Sequence, residues 1–204
     1  MNYTNTIKKI SIAMVLLLTF AACSDDDNNN EIIPTQPNIV DLAIATPELS
    51  SLVAALTAAD LVDALNGDGP FTVLAPTNEA FATFLSDNGF ATLDDVPVDV
   101  LTQVLLNHVI SGDLTSTDLV TAGSGYTNTL ASGAGNNSMS IYFNTSNGVT
   151  FNGISSVSQA DIAASNGVIH VVDAVIGLPT VVTFAAADPT FSTLVTALTV
   201  LTPA

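Results

Sequence analysis

Basic side chains are almost missing from this sequence. Its 204 residues carry 19 acids against two lysines, Lys8 and Lys9, for a formal net charge of −17. Such a surface repels polyanions, which excludes nucleic acid as a partner. Cysteine occurs once, at Cys23, so no intramolecular disulfide can form. There is no G-x-S-x-G nucleophile turn, no H-E-x-x-H or C-x-x-C zinc pattern, and no G-K-[ST] or G-x-G-x-x-G phosphate loop. Neither a catalytic site nor a cofactor is expected. "TAGSGYTN" and "ASGAGNN" are glycine-rich but hold neither Lys nor Arg, and they read as loops preceding strands. Carboxylates are plentiful, yet "DDDNNN" and "NGDG" lack the ligand spacing of a calcium loop. Weak, diffuse Ca2+ association is expected rather than an ordered metal site.

What is present begins with an export signal. "MNYTNTIKKISIAMVLLLTFAACS" has a basic start, an apolar run from about Ile10 to Phe20, and small residues before Cys23. The run is too short for a comfortable membrane span. "TFAAC" resembles the lipobox of bacterial lipoproteins, with Phe20 where an aliphatic is usual. The resemblance implies a signal over residues 1–22 and acylation of Cys23; an ordinary cut leaving a free thiol is the alternative. Residues 23–36 read as an acidic tether and linker. Within it "SDDDNNN" resembles a tract that routes lipoproteins to the outer face of the outer membrane, and a merely solvated tether is the other reading. Both lysines precede Cys23 and every acid follows it, so the mature chain has no Lys or Arg with which to form a salt bridge. Such a fold must tolerate self-repulsion, which salt screens; a saline habitat fits.

A hydrophobic share of 48% fits a packed domain. Thr46, Pro47 and Glu48 read as a helix start, with Thr46 as the cap. Leu49, Leu52, Val53, Leu56, Val62 and Leu65 follow as an apolar stripe interrupted around Thr57–Asp60. "NGDGP" breaks that helix. "FTVLAP" is a short buried strand, after which Thr77 caps a helix burying Phe81, Phe84 and Leu85. A third helix starts near Pro97, with Leu101, Val104, Leu105 and His108 in line. From Val109 the signals turn to strands: "VISG", "MSIYF", "GVTFNGISSV" and "NGVIHVVDAVIG", with Asn147-Gly148 as a hairpin turn. Helices early and strands late describe an α+β domain. Twelve of the 19 acids lie between Asp41 and Asp118, so the acidic surface follows the helical half.

His170 and Asp173 invite a catalytic reading. Alternation along a strand sends them to opposite faces, which argues against a dyad.

An internal repeat stands out. "PTVVTFAAADPTFSTLVTALT" (179–199) aligns without gaps on "PNIVDLAIATPELSSLVAALT" (37–57), with Asp188 replacing Thr46 as cap. Residues 179–204 therefore read as the start of a second, truncated domain. A C-terminal helix packing on the first domain is the plainer alternative.

"FTVLAPTNEAF" (71–81), "LLNHVISG" (105–112) and "NGVIHVVDAVIGLP" (166–179), in that order, resemble the fasciclin domain. The resemblance spans residues 37–178 and implies a β-sandwich-like core packed against several helices. It places Thr77, Asn78, Phe81, Asn107, His108, Asn166, Gly167 and His170 in the family motifs, as structural or contact residues. Asn107 stands where the family often has Tyr. For His108 the two readings are a half-buried ring with one backbone partner, or part of an adhesive contact. The resemblance also implies a non-enzymatic adhesion or binding module for an extracellular protein or polysaccharide, anchored at Cys23 in the outer membrane and exposed at the cell surface. A structural spacer in a longer tandem protein is the alternative.

Overall fold

Asn38 opens the fold. Its side chain accepts the Asp41 amide while the Asp41 carboxylate accepts the Asn38 N–H, a capping box that starts helix α1 (Ile39–Ala45). This computed structural model describes residues 36–201, so the export signal, Cys23 and the acidic tract lie outside the described residues. A 3-10 turn (Pro47–Leu49) and helix α2 (Ser50–Ala58) follow, then the single turn α3 (Val62–Leu65). The expected stripe is in place, since Leu49, Leu52, Leu56 and Leu65 are all buried. Thr46 does not cap as expected. Its hydroxyl turns back to donate to the Leu42 carbonyl at 2.8 Å, an i−4 bond that competes with capping.

Strand β1 (Phe71–Pro76) leads into helix α4 (Asn78–Asp87), where Phe81 is buried and Phe84 and Leu85 are half-buried. Helix α5 (Val98–Leu106) buries Leu101, Val104 and Leu105, and strand β2 (Val109–Ser111) follows it. Helix α6 (Ser116–Ala122) was not expected from the sequence; it is fixed by a Thr115–Asp118 capping box. "TAGSGYTN" is not a loop: it ends α6 and begins the nine-residue strand β3 (Ser124–Ser132). Gly125 lies under the Phe143 ring, where a Cβ would stand 3.3 Å from the ring, so that glycine marks a close approach within a sheet. Strand β4 (Ser138–Asn144) and the two-residue strand β5 (Thr150–Phe151) form the hairpin expected at Asn147-Gly148. "GVTFNGISSV" is two strands rather than one, because Asn152 and Gly153 turn the chain at positive φ before strand β6 (Ser155–Ala164). Strand β7 (Gly167–Val172) is the last among the described residues.

The seven strands close into a barrel in the order β1 to β7. That corrects the sandwich-like core expected above. β1 pairs antiparallel with β2 on one edge and parallel with β7 on the other, so the ring has no break between two facing sheets. Alternation along β1 and β7 then sorts their side chains into two cores. Val73, Ala75, Ile169 and Val171 pack with the helices, among Leu52, Leu56, Phe81 and Leu101. Leu74 and Val172 face the other way, into a barrel interior filled by Ile110, Ile141, Phe143, Phe151 and Ile176. Burial on both faces explains why these two strands read as near-continuous apolar runs.

After β7 come helix α7 (Val181–Ala187), a 3-10 turn (Pro189–Phe191) and helix α8 (Ser192–Leu201). They repeat the order and length of α1 and the first 3-10 turn.

Candidate functional site

The motif residues converge on the seams between elements. Asn107 and His108 follow the end of α5 and both reach the segment after β7. The Asn107 amide donates to the carbonyls of Ile176 and Gly177 at 3.3 and 3.1 Å, and its oxygen accepts the Thr129 hydroxyl at 3.1 Å. His108 Nδ1 lies 2.7 Å from the Val104 carbonyl, and Nε2 accepts the Ile176 amide at 2.9 Å. A carbonyl can only accept, so the proton sits on Nδ1 and the ring is neutral. Burial drives the His108 pKa down to about 4, against a smaller opposing pull from the Val104 carbonyl. His108 therefore has two backbone partners and is 2% exposed, not half-buried with one.

Asn166 and Gly167 hold a second seam, before β7. The Asn166 side chain accepts the Ile39 amide at 3.0 Å and donates to the carbonyls of Leu65 and Gly67 at 2.8 and 2.9 Å. Its own carbonyl accepts the Phe71 amide at 3.0 Å. Gly167 adopts a φ of 149°, and a Cβ there would stand 1.9 Å from the Phe71 carbonyl oxygen. At the third seam Thr77 accepts the Ala80 amide and so caps α4. Asn78 accepts the Ser51 amide at 2.8 Å and donates to the Pro47 carbonyl at 3.0 Å, tying α4 to the start of α2, above the buried Phe81.

His170 and Asp173 are not a dyad. His170 Nδ1 accepts the Asp161 amide at 3.2 Å, which leaves Nε2 to donate to the Leu114 carbonyl at 2.9 Å. Asp173 accepts the Ser156 amide at 2.7 Å instead. Every polar atom of these two imidazoles is spent on backbone, and neither ring nitrogen is left for proton transfer.

With no Lys or Arg after Lys9, the carboxylates find hydroxyl and amide partners. Thr92 holds Asp95 below the ordinary carboxylate range, Thr115 does so for Asp118, and Ser116 does so for Asp161, each through hydrogen bonds to the ionised form. Among the described residues no group of three or more His, Cys, Asp or Glu could hold a metal ion. Nor is any single helix among them long and apolar enough to cross a membrane.

One feature of the outer surface went unread in the sequence. The Tyr126 hydroxyl donates to Asp188 at 2.7 Å, and its ring lies 5.1 Å from that of Tyr142 and 5.7 Å from that of Phe184. Beside it runs an apolar groove of about 240 Å³ lined by Tyr126, Val181, Phe184, Ala185, Phe191 and Leu194. The repeat pointed to α7 and α8, but Tyr126 was hidden inside the segment read as a loop.

The fasciclin-domain profile matches residues 47–179. Protein sll1483 of Synechocystis is 41% identical over 138 residues, covering 68% of this chain and 72% of that one. A second Synechocystis protein, sll1735, is 38% identical over 140 residues, covering 69% and 97%. Human periostin is 33% identical over 144 residues, which are 68% of this chain but 16% of periostin. Among solved structures, a FAS1 domain pair from the insect cell adhesion molecule fasciclin I superposes with a TM-score of 0.52 at 23% identity, covering 72% of this chain and 51% of that one. The helix-backed barrel, the three seams and the profile match agree: this chain belongs to the fasciclin-domain family.

Proposed function

We propose that this protein is a non-enzymatic adhesion module, held at the outer membrane by an acylated Cys23 and presented at the cell surface. Its partner is an extracellular protein or polysaccharide. The observation that carries the reading is where the motif residues spend their polar atoms. Asn107, His108, Asn166 and His170 are 0–8% exposed and bonded within the fold, so ligand contact falls to the outer surface rather than to an internal reactive site. Membership of the fasciclin family and the likeness to a cell adhesion molecule support the same reading. An acidic face without Lys or Arg favours partners that are neutral or basic, or that are bridged by diffusely held Ca2+.

Cells lacking the gene, tested for attachment to surfaces coated with matrix protein or polysaccharide, put this to the test. Attachment is expected to fall and to return with the wild-type gene. Cys23→Ser is expected not to restore it and to move the protein from the membrane fraction to the soluble periplasm. Unchanged attachment in the deletion strain would leave the spacer role as the better account. Unchanged fractionation of Cys23→Ser, or a mature protein without acyl chains, would sink the anchor.

A further inference from the structure

One face of helix α4 borders a cleft of about 420 Å³. Ala80, Thr83, Phe84, Asp87 and Asn88, spaced three and four apart, supply that side of it. Asp173, Ala174 and Val175, just after β7, supply more of the lining, with Ile154 from the turn between β5 and β6. Ala80 and Val175 are buried, and Phe84 and Ala174 are half-buried, so the floor is apolar. Ile154 is 55% exposed beside it. Two carboxylates meet this apolar lining. One oxygen of Asp173 is fixed by the Ser156 amide at 2.7 Å, and the other has no hydrogen-bond partner among the described residues. Asp87 accepts no hydrogen bond there at all. It also ends α4, where the helix dipole is negative and the last turn holds no basic residue, so its charge disfavours the helix. A local rule broken in this way is expected at a binding site rather than in a scaffold.

We propose that this cleft receives a lysine or arginine side chain of an extracellular partner protein, an inference that rests on the adhesion reading and narrows it. The aliphatic stem lies along Phe84, Ile154, Ala174 and Val175, and the cationic head meets Asp87 and Asp173. Complementary charge selects this occupant over others. A metal ion does not fit, because among the described residues no group of three or more His, Cys, Asp or Glu could hold one. A second copy does not fit either. Beyond Lys9 the chain has no Lys or Arg, and His108 and His170 are buried and bonded to backbone. The cation therefore comes from a different protein.

The test titrates the isotope-labelled mature protein with end-blocked tripeptides, Gly-Lys-Gly and Gly-Arg-Gly, and with their uncharged acetyl-lysine and citrulline counterparts. Amide shifts are read by NMR at about 0.15 M salt, where diffuse attraction to the acidic surface is screened. Saturable shifts at 83–88, 154 and 173–177 are expected with the charged peptides and not with the neutral ones, and the tighter of the two tells lysine from arginine. Asp87→Asn and Asp173→Asn should each weaken binding about two- to fivefold, as loss of an exposed ion pair does. Ile154→Ala should weaken it as well. Asp63→Asn and Asp94→Asn, exposed acids elsewhere, change the net charge equally and should leave binding unchanged. Shifts scattered over the acidic surface, or equal weakening by Asp63→Asn, would overturn the proposal. Saturable shifts with glucosamine oligomers alone would overturn it in favour of a polysaccharide. In cells, attachment that is lost on deletion but survives Asp87→Asn with Asp173→Asn would keep the adhesion module and remove this cleft as its contact. The titration uses purified protein, so it decides the cleft even if the deletion strain attaches normally.

Discussion

His108 and Ile176 stand 68 residues apart in sequence, and the imidazole Nε2 accepts the Ile176 amide at 2.9 Å in a fully buried setting. The ring has to be neutral to do this, since a protonated imidazole has no acceptor. It joins the end of α5 to the segment leaving β7, and so links the helical layer to the barrel.

That requirement makes stability depend on pH in a defined window. The His108 pKa falls from 6.5 to about 4 on folding. Its contribution is complete above pH 6.5 and is lost as pH falls from there toward 4, because the unfolded chain takes up the proton first. The slope can reach about 1.4 kcal/mol per pH unit. The paired carboxylates Asp95, Asp118 and Asp161 lose their contribution only below their ordinary value of 3.8, so the two effects separate. Urea unfolding between pH 7 and 4.5 should show the loss, and His108→Gln should flatten it. His108→Ala should cost about 2–4 kcal/mol, from a buried ring and an orphaned Ile176 amide, and His108→Gln less.

Asn166→Ala should be nearly as costly. It strands the Ile39 amide and the carbonyls of Leu65 and Gly67, for about 2–4 kcal/mol. Gly167→Ala is worse, because a Cβ 1.9 Å from the Phe71 carbonyl oxygen forces β1 and β7 apart. A loss of about 4 kcal/mol or more is expected, read as an unfolded circular dichroism spectrum. A folded Gly167→Ala protein would contradict the close pairing of these two strands.

How much of this was legible depended on how local the signal is. Thr77 and the apolar spacing of α5 speak for themselves within a few residues, and His108 could be placed on the Leu101–Leu105 face although it lies just past the helix. Its bond to Ile176 could not, since nothing near His108 names a partner 68 positions away. Barrel closure has the same character: β1 and β7 pair in parallel across most of the domain. β3 was missed for a different reason. Its buried residues are only Thr129 and Ala131, and the rest is Gly, Ser, Thr and Asn with one Tyr and one Leu, so no apolar alternation announces it. The seams were recognised through the family motifs, but their hydrogen bonds join carbonyls and amides, which sequence patterns do not mark.

Salt should stabilise the domain. Nineteen acids face no Lys or Arg beyond the first nine residues, so repulsion between exposed carboxylates is uncompensated and is relieved by screening. The melting temperature of the mature protein should rise between low and marine NaCl. A flat response would mean that hydrogen-bonded carboxylates such as Asp118 and Asp161 absorb the cost locally.

Tyr126 supplies the last prediction. Its ring packs beside Tyr142 and Phe184, which takes the phenol partly out of water, and the Asp188 carboxylate accepts a hydrogen bond from the neutral phenol and repels a second negative charge. Together these push its pKa from 10.0 up to about 12. A raised phenol pKa stabilises the fold fully below pH 10, and that contribution is lost as pH rises from 10 toward 12. The side chain is 47% exposed, so the effect on stability is small and the titration itself is the better readout. Absorbance at the phenolate band should show the late ionisation of Tyr126. Tyr126→Phe should remove that step, and Asp188→Asn should bring it down toward 10 while leaving the fold intact. A late step that survives Tyr126→Phe would overturn its assignment to Tyr126.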